Sequence, residues 1–248
     1  MRGFFWPFAQ VRAAAGDTTI PTVMISGASR GIGAEFVRAY AADGWRVHAL
    51  ARAPEKSAAL AELARLHGGS VALHPLDVTD HAAIDALAAR LQGSPIDVLL
   101  NVAGVLVANP FGKSDYDRWM QSIRVNLFGP MKMSEAFIEH VAASEQRKIV
   151  TLTSVLGSIG GNAAGGMYDY RSTKAAVNAI MKSMSVDLAR RGIIAVPIHP
   201  GWVRTDMGGP RAEVDAATSV AGMRGVIDAL TPAQSGRFLS YQGAELAW

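Results

Sequence analysis

Thr22-Val23-Met24-Ile25-Ser26-Gly27-Ala28-Ser29-Arg30-Gly31-Ile32-Gly33 is the stretch that decides how this chain folds. A short β-rich run, Thr22–Ser26, meets three glycines and passes directly into a helical pattern from Ala34. Glycines at a strand-to-helix turn let the backbone approach a ligand closely. The helix N-terminus behind them offers free N–H groups and a partial positive charge. A dinucleotide pyrophosphate suits such a turn. The spacing is G-x-x-x-G-x-G, and no Gly-Lys-Ser/Thr follows, which argues against a P-loop.

Outward from this turn, β-rich runs alternate with helical patterns, the signature of repeated βαβ units around a parallel sheet. Strands are expected at Thr22–Ser26, Arg46–Ala51, 71–76, 97–101, 148–153, 193–199 and 237–239, and helices near 31–43, 55–67, 80–92, 115–143, 167–190 and 215–230. The predicted fold class is α/β: one doubly wound parallel sheet of about seven strands with helices on both faces. Residues 19–248 form a single domain in this reading. Residues 1–18, which include Phe4-Phe5-Trp6-Pro7-Phe8, are read as an N-terminal extension, with a secretory signal as the alternative.

Composition narrows the function. The chain has 248 residues, 50% of them hydrophobic, and a formal net charge of +3 with its basic residues spread out, a pattern that does not suit nucleic acid. It has no cysteine, and its six histidines (His48, His67, His74, His81, His140 and His199) lack paired ligand spacing, so no metal site is expected. No apolar run approaches the roughly 18 residues of a membrane helix. A cytoplasmic location is expected.

Three further features carry chemistry. At the end of the second strand, where an acidic residue would bind the ribose hydroxyls of NAD, stand Ala51 and Arg52. Arg52 and Arg30 can neutralise a 2′-phosphate, which favours NADP(H). Tyr170 and Lys174 are spaced i, i+4, which puts phenol and ammonium on one helix face. A neighbouring positive charge favours the phenolate and suits Tyr170 to general acid and base work. Tyr168 competes, but Ser172 lies four residues beyond it instead of a lysine. Ser154 at the end of the fifth strand can donate a hydrogen bond to a carbonyl oxygen, with Thr153 and Ser158 as rivals.

In this order, the glycine turn, Asp77, Asn101-Val102-Ala103-Gly104, Asn126, Ser154, Tyr170, Lys174 and Pro200-Gly201 resemble the classical short-chain dehydrogenase/reductase family over residues 20–248. The resemblance implies a single-domain Rossmann fold. It implies a catalytic set of Asn126, Ser154, Tyr170 and Lys174, with Asn126 distorting its helix and holding a water. It also implies cofactor contacts at Gly27, Ser29, Arg30, Gly31, Ile32, Gly33, Arg52, Asp77, Val78, Asn101, Ala103, Gly104, Tyr170, Lys174, Pro200, Gly201, Val203 and Thr205. Asp77 and Val78 would meet the adenine, Lys174 the nicotinamide ribose and Thr205 the carboxamide. Val102 stands where the family more often has a second asparagine. Within the family the chain is most similar to the C-factor-like and sniffer-like carbonyl reductases, on 170–178, 205–210 and the tail from Ser235 to Trp248.

The expected activity is hydride transfer between NADP(H) and a carbonyl or alcohol carbon of a small-molecule substrate. Trp202 and Met207 are candidates to line its pocket, with 208–223 as a covering loop. An NADP(H)-binding regulator with an idle site is the alternative, and an epimerase or dehydratase of the extended relatives is a third. By analogy, the helices near 115–143 and 167–190 would form a homodimer or homotetramer interface.

Overall fold

The computed structural model describes residues 20–248. The expected extension, residues 1–18, lies outside the described residues. Seven parallel strands, β1 (Thr22–Ser26), β2 (Arg46–Ala51), β3 (Val71–Pro75), β4 (Val98–Asn101), β5 (Lys148–Leu152), β6 (Ile194–His199) and β7 (Leu239–Ser240), form one sheet in the order β3-β2-β1-β4-β5-β6-β7. Central strands β1, β4 and β5 are buried along their whole length, which explains their continuous apolar runs. Six strands fall within one residue of expectation, whereas the last is 239–240 rather than 237–239.

Helices α1 (Gly31–Ala42) and α8 (Ala216–Ala229) pack Phe36, Tyr40, Val226 and Ile227 against one sheet face. On the other face lie α3 (His81–Arg90), α5 (Gly129–Ala136), α6 (Ile138–Ala142) and α7 (Tyr168–Asp187), which bury Ile84, Met133, Phe137, Val141, Val177 and Met181. Each such side chain contributes roughly 1.5–3 kcal/mol on burial. Two further helices are α2 (Ala58–Leu66) and α4 (Tyr116–Ile123). Ser57, Asp80, Asp115 and Asp215 cap α2, α3, α4 and α8 by accepting from backbone N–H groups of the first turn.

Two expectations require correction. The single helix expected over 115–143 is divided into α4, a π-helical segment at Arg124–Phe128, α5 and α6. Gly129 and Pro130 follow the π segment, and Asn126 inside it spends its side chain on another loop. The covering loop expected over 208–223 is in part helix, because α8 begins at Ala216 under the Asp215 cap.

Strand order reverses between β1 and β4, and the register Ser26↔Asn101 brings their carboxyl ends level. A crevice for a ligand opens at such a switch point. Elsewhere the sheet buries polar groups. His48 on β2 and His74 on β3 share a hydrogen bond of 2.9 Å between Nδ1 and Nε2. Burial, then His74, pushes His48 down to about 4, with Arg46 and His140 adding to the effect. Burial lowers His74 and takes His199 down to about 4.

Between these values and 6.5 the unfolded chain binds protons that the folded chain refuses. Stability is therefore full above about pH 6.5, falls on the way to about pH 4 and loses no more from these groups below it. The loss from His48 alone is on the order of 3 kcal/mol. Urea midpoints across this range should track that slope, and His48→Gln should flatten it. An unchanged slope in that variant would assign the acid sensitivity to other groups.

Candidate active site

The glycine turn is built by close backbone approach. A Cβ on Gly27, whose φ is +70°, would stand 2.7 Å from Ala103 Cα, and one on Gly33 would stand 2.1 Å from the Gly27 carbonyl oxygen. Gly31 (φ +54°) brings the turn against Thr205, whose Cγ2 would lie 3.2 Å from an added Cβ. Thus a side chain at 27 would press on the exit of β4, one at 31 on the loop after β6 and one at 33 on the backbone of the turn itself. The helix behind this turn differs from its neighbours: Arg30, the N-cap of α1, makes no side-chain capping bond. The first-turn amides of α1 therefore remain available to an anion, and the bare glycine backbone admits a phosphate. The residues present fit a dinucleotide pyrophosphate.

Two hydroxyls that the sequence analysis did not single out hold this turn in place. Ser26 Oγ accepts from Val102 N at 3.1 Å and Ala103 N at 3.3 Å, locking the exit of β4 beside β1. Ser57 Oγ donates to Ser29 O at 2.9 Å and ties the start of α2 to the glycine turn. A serine at a strand end is a visible signal for the first. The second depends on a long-range contact with no local mark.

At the adenosine side, Arg52 is exposed at the end of β2 and has no carboxylate partner among the described residues. Arg30 is engaged: its Nη1 pairs with Asp206 at 2.9 Å, across the mouth between glycine turn and post-β6 loop. Asp77 Oδ1 accepts from the N–H and hydroxyl of Thr79 at 2.9 and 2.8 Å. Val78 is buried, its Cγ2 3.0 Å from where a Gly129 side chain would be. Asn101 points its amide inward, towards Thr151 Oγ1 (3.3 Å) and Ser134 Oγ (3.5 Å). Its side chain is a buried strut between β4 and its neighbours.

Tyr170 and Lys174 lie on one face of α7, both buried. Lys174 Nζ donates to Leu152 O at 2.8 Å and sits 5.8 Å from the centre of the Tyr170 ring. Burial pushes the lysine down to about 8. Burial also pushes the Tyr170 phenol up to about 12, with the Ser154 hydroxyl pulling the other way. The lowering of Tyr170 expected from Lys174 does not emerge: burial of the phenolate is the larger influence, and the opposing one comes from Ser154. Tyr168 and Ser172 face away; Ser172 Oγ accepts from Trp119 Nε1 at 3.0 Å, and Tyr168 lies beside Phe111.

Ser154 starts a short 3-10 turn (Val155–Gly157), and its Oγ accepts from Leu156 N at 3.1 Å. With one lone pair so used, its proton is free to point at a second oxygen. Thr153, its rival, is directed at Lys174 O. Asn126 grips the backbone of Val105, accepting from its N–H at 2.8 Å and donating to its carbonyl at 2.9 Å. The same amide donates to Thr173 Oγ1 at 3.1 Å, next to Lys174. Gly104 lies between them, 3.4 Å from Asn126 Oδ1 and 3.7 Å from Lys174 Nζ at its absent Cβ. Beyond β6, Gly201 takes φ +84° and Val203 is buried. Thr205 Oγ1 accepts from Gly208 N at 3.2 Å, while Trp202 and Met207 remain half exposed beside it.

This fold and site define a class, and comparison with known proteins gives its name. Residues 21–215 match the family model of the short chain dehydrogenases, and the chain belongs to that family. It is 43% identical to C-signal of Myxococcus xanthus over 164 residues, 66% of this chain and 99% of that protein. The carbonyl reductase Sniffer of D. melanogaster superposes with a TM-score of 0.87 at 31% identity, covering 93% of this chain and 100% of that one. An NADPH-bound carbonyl reductase from chicken fatty liver superposes with a TM-score of 0.85 at 34% identity, covering 92% and 99%. Among the described residues no group of His, Asp and Glu is placed to hold a metal, and no helix is long and apolar enough to cross a membrane.

Asn126→Ala would leave the Val105 amide and carbonyl and the Thr173 hydroxyl without this partner. It should cost about 2–4 kcal/mol of stability, read from denaturant midpoints. A loss below about 0.5 kcal/mol would show that the π segment does not depend on this clamp.

Proposed function

We propose that the protein transfers hydride between NADP(H) and a carbonyl or alcohol carbon of a small molecule, with Tyr170 moving the proton. The observation that carries this reading is the buried Tyr170–Lys174 pair beside the Ser154 hydroxyl, at the end of β5 and close to the crevice at the switch point. Family membership and the likeness to an NADPH-bound carbonyl reductase support the cofactor. The unpaired, exposed Arg52 supports the phosphorylated form.

When bound, NADPH supplies the hydride, and the protein's part is orientation and electrostatics. Gly27, Ser29, Gly31, Ile32 and Gly33 with the first turn of α1 hold the pyrophosphate. Asp77 and the Val78 backbone lie on the adenine side. Ala103 and Gly104 leave room for ribose, and Pro200, Gly201, Val203 and Thr205 flank the nicotinamide. Lys174 Nζ, largely charged at neutral pH with its value near 8, is the donor for ribose hydroxyls. Ser154 Oγ donates to the substrate oxygen and polarises the carbonyl. Tyr170 Oη then gives its proton to that oxygen as an alkoxide develops. A phenol held near 12 is fully protonated at neutral pH, so it is loaded for reduction.

A second reading from another class draws on the likeness to C-signal. In it the chain binds NADP(H) as a regulator and its site is idle. Turnover of a carbonyl panel separates the two. The reading includes a homodimer or homotetramer, supported by exposed apolar side chains on α4 and α7 such as Tyr116, Met120 and Val186.

Tyr170→Phe should retain NADPH binding and lose turnover by about 10²–10⁴-fold; near-native turnover would sink the role of Tyr170. Arg52→Asp should weaken NADPH by about 10–100-fold and leave NADH little changed. An unmoved NADPH-to-NADH ratio, measured by fluorescence titration, would remove the arginine from the cofactor site.

A further inference from the structure

The last residues of the chain reach the turn that carries Ser154. The backbone oxygen of Trp248 accepts two hydrogen bonds, from Gly160 N at 2.9 Å and from Ser158 Oγ at 3.2 Å. Ser158 is buried, and its hydroxyl also accepts from Gly161 N at 2.9 Å. Residues 159–165 beyond it are exposed throughout. Among the hydrogen bonds of residues 158–164, those to Trp248 are the long-range ones.

Trp248 is itself held. Its indole lies 5.7 Å from the ring of Phe238, which is fully buried next to β7. Leu246 N donates to Phe238 O at 2.8 Å, Leu239 bridges Glu245, and Arg237 pairs with Glu245 at 2.7 Å. The segment from Arg237 to Trp248 is thus a folded-back strap fixed to the sheet edge, with its end directed at the active-site turn.

That turn is clamped from the other side by α7. Arg171 Nη1 donates to Leu156 O and Asn178 Nδ2 to Gly157 O, each at 3.4 Å. Gly157 packs so closely that a Cβ there would stand 2.8 Å from Lys174 C. The short helical bonds Gly157 N to Ser154 O (2.8 Å) and Ser158 N to Val155 O (3.0 Å) make Ser154–Ser158 one rigid unit. Pressure from α7 on one side needs a counterpart on the other, and the strap supplies it at Ser158.

We propose that Trp248 is a positioning residue for Ser154: through Ser158 and Gly160 it seats the turn so that the Ser154 hydroxyl faces the reacting oxygen. This rests on the reading above in which Ser154 binds the carbonyl oxygen. Small displacements of a positioning group lower carbonyl turnover without touching cofactor contacts. The strap approaches the Ser154 turn, whereas the pyrophosphate elements lie on β1 and α1.

The test compares Trp248→Ala, Ser158→Ala and the conservative Trp248→Phe, each in the native background and in Ser154→Ala, reading kcat, KM, the NADPH dissociation constant and melting temperature. In the native background, Trp248→Ala and Ser158→Ala should lower kcat/KM for a carbonyl substrate by about tenfold, mainly through kcat, with NADPH binding unchanged. Trp248→Phe should restore most of it by keeping a ring on Phe238. In the Ser154→Ala background, the same changes should add nothing, because a residue that acts only through Ser154 has no effect once the hydroxyl is gone. An equal further loss in that background, or loss of NADPH binding in step with melting temperature, overturns the positioning role. Native kinetics for the tail variants beside an impaired Ser154→Ala overturns it while sparing Ser154. Native kinetics for Ser154→Ala removes Ser154 from the mechanism, and this role with it. Ser158→Ala keeps the test decisive if Trp248→Ala does not fold.

Discussion

A lysine ammonium buried at the heart of the molecule forces the surrounding elements to fit one another. Lys174 is 5% exposed, and its ammonium makes its one hydrogen bond among the described residues to the Leu152 carbonyl at the end of β5. An ammonium in such a place is costly unless donors and acceptors are arranged for it. Its neighbours are set accordingly. Gly157 lets the post-β5 turn come within backbone contact of Lys174, and Gly104 leaves space before the Nζ. Asn126 opens the long helix into a π segment and so reaches Val105 on one side and Thr173 on the other. The distortion of that helix and the placement of the loop after β4 are two consequences of one constraint.

The second fixed point is the glycine turn, where backbone packs on backbone. Gly33 over the Gly27 carbonyl and Gly27 against Ala103 join the start of α1 to the exits of β1 and β4. Ser26 finishes the junction with its hydroxyl. Because β1 and β4 are neighbours at the switch point, this junction and the Lys174 cluster share the loop 102–105. The residues proposed for cofactor contact and for proton transfer therefore lie on the two sides of a single short segment. That segment is rigid because each side holds it.

Local pattern made the sheet readable: strand runs such as Val98-Leu99-Leu100 have no polar alternation because both faces are covered, and six of seven strand boundaries follow to within one residue. The i, i+4 spacing likewise selected Tyr170 over Tyr168, since Ser172 answers to Trp119 on another face. The features that escaped are those with no local signature. The helical pattern over 115–143 carries no mark of the π segment beyond Asn126, whose distortion of its helix the family resemblance implies; the partner that draws Asn126 out lies twenty-one positions away. Arg30 was assigned to a phosphate by its place in the turn, while its pairing with Asp206 spans 176 positions. Asn101 ends β4 beside the crevice, and only the register with Thr151 shows that its amide turns inward.

The electrostatics of the pair constrain the direction in which the chain alone is poised. Burial moves Tyr170 and Lys174 towards their neutral forms, to about 12 and about 8. The two shifts have the same cause, since each charge is desolvated. They also oppose one another's purpose, because a phenolate needs the ammonium charged and the ammonium gains from a phenolate close by. With the Nζ turned to Leu152 O and 5.8 Å from the ring centre, mutual stabilisation does not offset desolvation. The state so favoured has the phenol protonated, which suits donation to an alkoxide. Abstraction from an alcohol requires the phenol to ionise and asks more of the surroundings. Raising the local polarity or bringing positive charge nearer the phenol oxygen is the physical route to the reverse reaction. Ser154, the one group already acting to lower the phenol, lies on that route.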